Sequence, residues 1–264
     1  MPRLNDGAPD KTRRHQRILA ALATDPTVRI SALAAQFGVS AETVRRDVEE
    51  LSRLGAVRRT YGGASVVAAG QQPELSSRER MAVAERARIG AAAAAMVQPG
   101  DVVMLDAGST TGHMARALAM RGIRATVLTN SLPAAQALSA APGGAIRVIL
   151  CPGDVSAAEQ GVYGPETAAF LERFHADLAF VGASGLTPEG PCDVETRAVW
   201  VKRAMLARAG RRLLLVDHEK FGRAVLERVC PLEDLTGLVT DSAPTGRLAE
   251  VLARAGVDLT LAQG

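Results

Sequence analysis

The chain has 264 residues, 47% hydrophobic and 22% charged, which is the composition of a soluble globular protein with one large domain or two unequal ones. Aromatics make up only 3%, so the core must be built from Ala, Val, Leu and Ile. The alanine-rich run Ala91 to Val97 is too short for a membrane span, and MPRLNDGAPDKTRR at the start has no apolar segment of signal-peptide type, so a cytoplasmic protein without membrane contact is expected. Cys151, Cys192 and Cys230 are far apart and form no CxxC, which argues against a disulfide framework or a zinc site. The net charge of +3 is unevenly placed. Residues 1–65 carry 11 Lys and Arg against 7 Asp and Glu, and residues 66–264 carry 20 against 21. The basic excess lies in the N-terminal quarter, where it suits a polyanionic partner or equally a solvated, Arg-rich surface.

Residues 1–12 are polar with Pro and Gly and read as a disordered tail. Thr12 to Ala23 predicts a first helix with Ile18 and Leu22 on one face, stopped by Asp25-Pro26. Val28 to Ile30 reads as a connector or strand. Ser31 starts a second helix with Leu33, Ala34 and Phe37 inward, ended by Gly38, since Gly takes the left-handed conformation of a helix C-cap. Ser40 to Leu54 predicts a third helix, with Ser40 as N-cap and Glu42 in the first turn, where the dipole favours negative charge. Val44, Val48 and Leu51 form its apolar stripe; Thr43, Arg45 and Arg46 lie off it and are expected to face the groove, with Ser40 also a DNA-binding candidate. At about 1.5 Å per residue the helix is roughly 22 Å long, enough to lie in a DNA major groove. Two helices joined by so short a Gly-containing turn make a helix-turn-helix. Two short β-type runs then flank Gly62-Gly63 and predict a basic hairpin, a wing whose Arg58, Arg59, Tyr61 and Gly62 reach phosphates or the minor groove.

Ile30 to Ala64, ISALAAQFGVSAETVRRDVEELSRLGAVRRTYGGA, resembles the DeoR family of bacterial transcription regulators. The V-S-x-x-T-V-R-R-D run and the R-x-Y-G-G-A ending together carry the likeness, which extends over nearly the whole chain from about Thr12. Domain bounds follow: a winged helix-turn-helix over 13–67, a linker over 68–76 and an α/β domain over 77–264.

Ser77 to Val97 predicts one helix, charged first and then alanine-rich. Beyond it, apolar runs at 102–105, 126–128, 146–150, 178–181, 213–216 and 238–239 alternate with amphipathic segments. That pattern predicts a mostly parallel sheet covered on both faces, so the fold class is α/β, a small winged helix-turn-helix followed by a larger sensor domain. Ligands of such sheets bind at the carboxyl ends of the strands. There the sequence places Asp106-Ala107-Gly108-Ser109-Thr110-Thr111, then Thr129-Asn130-Ser131, then Gly182-Ala183-Ser184-Gly185, and last Asp217-His218-Glu219-Lys220. Gly108 with the hydroxyls of Ser109, Thr110 and Thr111 at a helix start suits an anion, although Ser and Thr, and Asn130 with Ser131, also serve as ordinary caps. The resemblance supports a site. The DeoR effector domain carries D-A-G-[ST]-T-T, T-N-S and D-x-x-K-F-G runs in this order, it is similar to ribose-5-phosphate isomerase, and its ligands are typically phosphorylated sugars or related metabolites. The chain departs from the family at Leu150 to Gly153, where a Gly-Gly is common, and at Glu219, which puts a negative charge beside the expected phosphate. Ligand-binding candidates are therefore Asp106, Gly108, Ser109, Thr110, Thr111, Asn130, Ser131, Gly182, Lys202, Asp217 and Lys220. Glu195 and Lys202 read more simply as solvated helix charges.

No P-loop and no GxGxxG appear, and His15, His113, His175 and His218 lack metal spacing, so no cofactor, metal or catalytic residue is expected. The function this implies is a repressor, nucleoid-associated when bound, acting as a homo-oligomer (dimer or tetramer) on double-stranded operator DNA under control of a phosphorylated metabolite. The alternative is a sugar-phosphate isomerase with an attached DNA-binding domain.

Overall fold

The computed structural model describes residues 10–25, 27–53, 57–60, 62–66 and 74–263, with the backbone alone at 23, 24, 53, 58, 65 and 66. They form two compact units that divide after residue 73.

The first unit contains α1 (Lys11–Thr24), β1 (Thr27–Arg29), α2 (Ile30–Phe37), α3 (Ala41–Arg53), β2 (Val57–Thr60) and β3 (Gly63–Val66). Its caps follow local chemistry. Asp10 Oδ1 accepts from the Arg13 amide at 2.8 Å, and Ser40 Oγ accepts from the Thr43 amide at 3.1 Å. Gly38 ends α2 with φ +68°. Ile18, Leu33, Phe37, Val44, Val48 and Leu51 are buried together, at about 1.5–3 kcal/mol of transfer free energy each. Asp47, the last residue of the V-R-R-D run, is buried rather than groove-facing. Its carboxylate takes Arg14 Nε at 2.7 Å and Nη2 at 3.1 Å, which ties α1 to α3. The three strands run in the order β1-β3-β2, all antiparallel. The turn of the hairpin is tied back to α2, because the Ile30 amide donates to the Gly62 carbonyl at 3.0 Å.

The second unit begins with α4 (Leu75–Arg78) and α5 (Val83–Ala95). The single helix expected over 77–97 is therefore broken. Ala82 sits at φ +47°, a left-handed conformation that costs a non-glycine residue about 1–2 kcal/mol. The break frees the Arg78 carbonyl to accept from Arg86 Nη1. Leu75 is buried at the start of α4. Next come β4 (Val102–Leu105), α6 (Ser109–Ala119), β5 (Ala125–Thr129), α7 (Leu132–Ser139) and β6 (Ile146–Leu150). A hairpin of β7 (Asp154–Ser156) and β8 (Gly161–Tyr163) leads to α8 (Pro165–Leu171) and β9 (Ala176–Gly182). Then follow β10 (Gly185–Thr187), β11 (Gly190–Asp193), α9 (Thr196–Ala207), β12 (Ala209–Leu215) and β13 (Glu227–Arg228), and finally β14 (Gly237–Thr240), α10 (Gly246–Arg254) and β15 (Asp258–Leu261).

Seven strands make one parallel sheet in the order β15-β14-β12-β9-β4-β5-β6. Alternate residues feed two cores. Val103, Leu105, Leu178, Phe180, Leu213 and Leu215 pack with α5, α6 and α7. Met104, Ala179, Val181 and Leu214 pack with α8, α9 and α10. The chain goes outward from β4 to β5 and β6, then returns to the other side of β4 with β9. The switch point thus lies between β4 and β9, where open α/β sheets hold ligands. The small β7–β8 and β10–β11–β13 sheets were not expected from sequence, because their strands are only two to four residues long.

Candidate functional site

On the DNA-reading unit, Arg45 and Arg46 are exposed on the side of α3 away from the buried stripe, and the Arg46 side chain is 77% accessible. Both arginines pair with Glu42. Exposed pairs of this kind are worth about 0–1 kcal/mol, so a phosphate or base edge can take the arginines over. Thr43 is half-buried, with Oγ1 2.9 Å from Ser40 Oγ. Arg59 Nη1 lies 3.4 Å from Glu49 Oε1, linking the β2 strand of the wing to α3. Gly62 is exposed. Tyr61 and the Arg58 side chain lie outside the described residues.

In the second unit the switch point is lined by charged side chains that are almost wholly buried. Asp106, directly after β4, accepts from the Gly182 amide at 3.2 Å across the β4–β9 seam. Lys202 is not a solvated helix charge. It is 3% accessible, its ammonium bonds Asp106 Oδ2, and it lies 3.4 Å from Asp193 Oδ2. Its place on α9 between Val199 and Met205 puts it on the buried stripe, a signal present in the sequence. Glu195 does lie on the rim, capping α9 and pairing with Arg197. Burial raises the Asp106 carboxyl above its usual range despite the pull of Lys202. Burial also opposes the Lys202 charge, but Asp106 and Asp193 outweigh it, and Lys202 is held protonated above its ordinary value. Asp193 is fixed in turn by Ser184 Oγ at 2.8 Å and the Val194 amide at 2.7 Å. Tyr163 of β8 is buried facing the same carboxylates, and burial with their charge pushes its phenol well up.

Beside this cluster stands a cationic one. Arg86 is 1% accessible and donates from Nε to Asp217 Oδ2 at 2.8 Å, from Nη1 to Ser109 Oγ at 3.1 Å, and to the Arg78 carbonyl. The approach of α5 to α6 depends on Gly90, where an added Cβ would fall 2.7 Å from the backbone of His113 and Met114. One turn earlier on both helices, that approach brings Arg86 to Ser109. Arg86 was not expected from sequence, although a charge three residues before Ile89 on a buried stripe was its signal. Lys220 is half-buried, and its pKa is lowered to about 8 by desolvation, with the charges of Arg86, Arg223 and Arg78 adding to the effect against Asp217. Among the described residues its ammonium has no hydrogen-bonded or ion-paired partner. Glu219 is exposed, and its charge is felt at the neighbouring His218. The other phosphate-side candidates divide. Gly108 precedes α6 without a side-chain cap bond, so amides of the first turn stay open, and the Thr110 hydroxyl is buried beside them. The Thr111 hydroxyl donates to the Gly108 carbonyl at 3.0 Å. Asn130 is a tie, accepting from the Ala107 amide at 2.9 Å and donating to the Val162 carbonyl at 3.1 Å, and Ser131 caps α7. Two cavities, of about 450 and 550 Å³, lie elsewhere, beside Arg212 and Cys230 and beside Arg124 and Arg147, towards the amino ends of the strands.

The sequence matches two family models in order: the DeoR-like helix-turn-helix domain over residues 14–69 and the DeoR C-terminal sensor domain over residues 81–242. The glycerol-3-phosphate regulon repressor of Escherichia coli is 27% identical over 252 residues, covering 95% of this chain and 99% of its own. The transcriptional repressor GlcR of Bacillus subtilis is 31% identical over 226 residues, covering 85% and 86%. Among solved structures, ribose 5-phosphate isomerase A of Methanocaldococcus jannaschii is similar over 52% of this chain and 53% of its own, at 18% identity and a TM-score of 0.38. The curated relatives are repressors, not enzymes, which removes the isomerase reading. With reader and sensor both matched, the chain belongs to the DeoR family of transcription regulators.

Proposed function

We propose that a phosphorylated sugar or related anionic metabolite binds the second unit at the carboxyl ends of β4 and β12 and sets the operator affinity of the first. The observation that carries this reading is Lys220. Among the described residues its ammonium has no ion-pair partner while it feels the charges of Arg86, Arg223 and Arg78, and Arg86 bonds Ser109 at the open start of α6. A phosphate supplies the missing negative charge and accepts from the amides of the helix start. An operator with two half-sites needs two DNA readers, so the working regulator is a homo-oligomer, a dimer or tetramer, in the bacterial cytoplasm.

Lys220→Met tests the site through two opposite effects. Wild-type Lys220 binds its proton less tightly folded (about 8) than unfolded (about 10.4), so it detracts from stability at neutral pH, and stability rises as pH climbs through that window. The variant is expected to be more stable at pH 7 by about 3 kcal/mol, to lose that alkaline rise, and to lose stabilisation by sugar phosphates. Thermal shifts with glycerol 3-phosphate and other sugar phosphates read both. Ligand stabilisation equal to wild type would refute the site.

Arg45→Ala tests the reader. Specific operator binding should weaken by about 1–3 kcal/mol if Arg45 meets a base edge, and the salt dependence should flatten by about one charge if it meets phosphate. Binding isotherms at several salt concentrations separate the two, and an unchanged affinity removes Arg45 from the interface.

A further inference from the structure

We propose that the Glu159 carboxylate is an internal stand-in for the anionic group of the effector, held by Arg78, and that an arriving anion displaces it and parts the β7–β8 turn from α4. The inference rests on the effector-site reading above. Among the described residues, Glu159 is the carboxylate in ion-pair contact with Arg78. Among the described residues the buried Arg78 Nε has no acceptor, so its fork can take a second oxygen, which a phosphate offers and one carboxylate contact leaves unused. The backbone carbonyl of Arg78 accepts from Arg86, and its charge is felt at Lys220, so it belongs to the same cationic ring.

Glu159 lies in the turn between β7 and β8 and also feels Lys202 and Asp193. Burial raises its pKa against the pull of Arg78, so its carboxylate sits there at a cost. The turn is tied to α4 twice, by the Arg78–Glu159 pair and by the Leu75 amide, which donates to the Ala158 carbonyl at 2.9 Å. The next residue, Gln160, is left-handed at φ +46°. α4 is the first helix after residue 73, where the DNA-reading unit ends. An anion that takes Arg78 from Glu159 therefore loosens the element through which the chain passes toward the reader, and its leverage equals its differential affinity for the tied and parted states.

Inorganic phosphate, titrated calorimetrically into the full-length protein, is the probe. Glu159→Gln removes the competing charge and is expected to tighten phosphate binding about tenfold. Hydrogen exchange at the Leu75 amide should quicken in Glu159→Gln without phosphate and in the wild type saturated with it. Unchanged or weaker binding in Glu159→Gln, or an unchanged Leu75 amide, would overturn the proposal. Glu159→Asp, one methylene shorter, carries the same test with a smaller tightening if Glu159→Gln does not fold. Lys220→Met keeps the two readings apart. Phosphate binding lost in Lys220→Met but untouched by Glu159→Gln leaves the site standing and sinks the stand-in. Phosphate binding that survives Lys220→Met sinks both.

Discussion

Lys202→Met is expected to lower the stability of the sensor domain by about 3–5 kcal/mol at neutral pH, the range found when one partner of a buried ion pair is removed. For a domain of this size that is a fall in Tm of roughly 10 °C. The physical reason is what stays behind. Asp106 is fully buried and Asp193 nearly so, and the Lys202 ammonium is the cation that both share. Without it two carboxylates face each other in a dry site, and the cheapest escape is to bind a proton. Asp106 already lies above its usual range because of burial, and the substitution drives it further. A carboxyl whose folded pKa exceeds its unfolded value contributes stability at low pH and loses it as pH rises through the folded value. The deficit of the variant should therefore shrink as pH is lowered from about 8 to about 5. Urea unfolding at both pH values checks this, and an equal deficit at the two would show that carboxylate repulsion is not its cause.

Arg86→Met is the second large effect, again about 3–5 kcal/mol. Asp217 and Ser109 lose the donor together, and the Arg78 carbonyl keeps only the Met81 amide at 3.1 Å. Asp217 suffers most, since among the described residues its Oδ1 already lacks a partner and the residue is fully buried. Arg86→Lys should not rescue the protein, because an ammonium cannot reproduce the fork that meets a carboxylate, a hydroxyl and a carbonyl at once. Arg86→Met with Asp217→Asn should recover about 1–3 kcal/mol relative to Arg86→Met alone, a coupling typical of residues in one network. A loss in the single variant below about 1 kcal/mol would mean that Lys220 swings over to Asp217. Effector binding would then fail in a folded protein, and a thermal shift with inorganic phosphate distinguishes that outcome.

Both residues show where reading the chain locally stops. Lys202 lies between Val199 and Met205, and Arg86 lies three residues before Ile89. Each sits on the apolar stripe of its helix, and a charge there must have a partner. The stripe announces that a partner exists but not which residue it is. For Lys202 the partner is 96 residues away, and for Arg86 it is 131 residues away. Arg78, Glu159 and Tyr163 gave no such local sign, because they lie on a four-residue helix and a small hairpin whose form depends on what they pack against. The broken helix at Ala82 was hidden for a related reason. Its residues suit a continuous helix, and the left-handed step fits with tertiary contacts of the Arg78 carbonyl.

Local features of this chain are written in local chemistry. The Ser40 cap, the Gly38 stop and the stripe of Val44, Val48 and Leu51 depend on neighbours within a turn or two, so sequence alone determined the three helices and the exposed arginines of the reader. The parallel strands were equally legible, since apolar runs between helices bury both faces of a sheet. Only the tertiary structure decided the strand order and with it the switch point between β4 and β9. Strand order depends on pairings between segments far apart in the chain, which no local periodicity encodes. That order set the polar runs after β4, β9 and β12 at the same edge of the sheet. It also left Lys220 among guanidinium groups, the feature on which the effector reading stands.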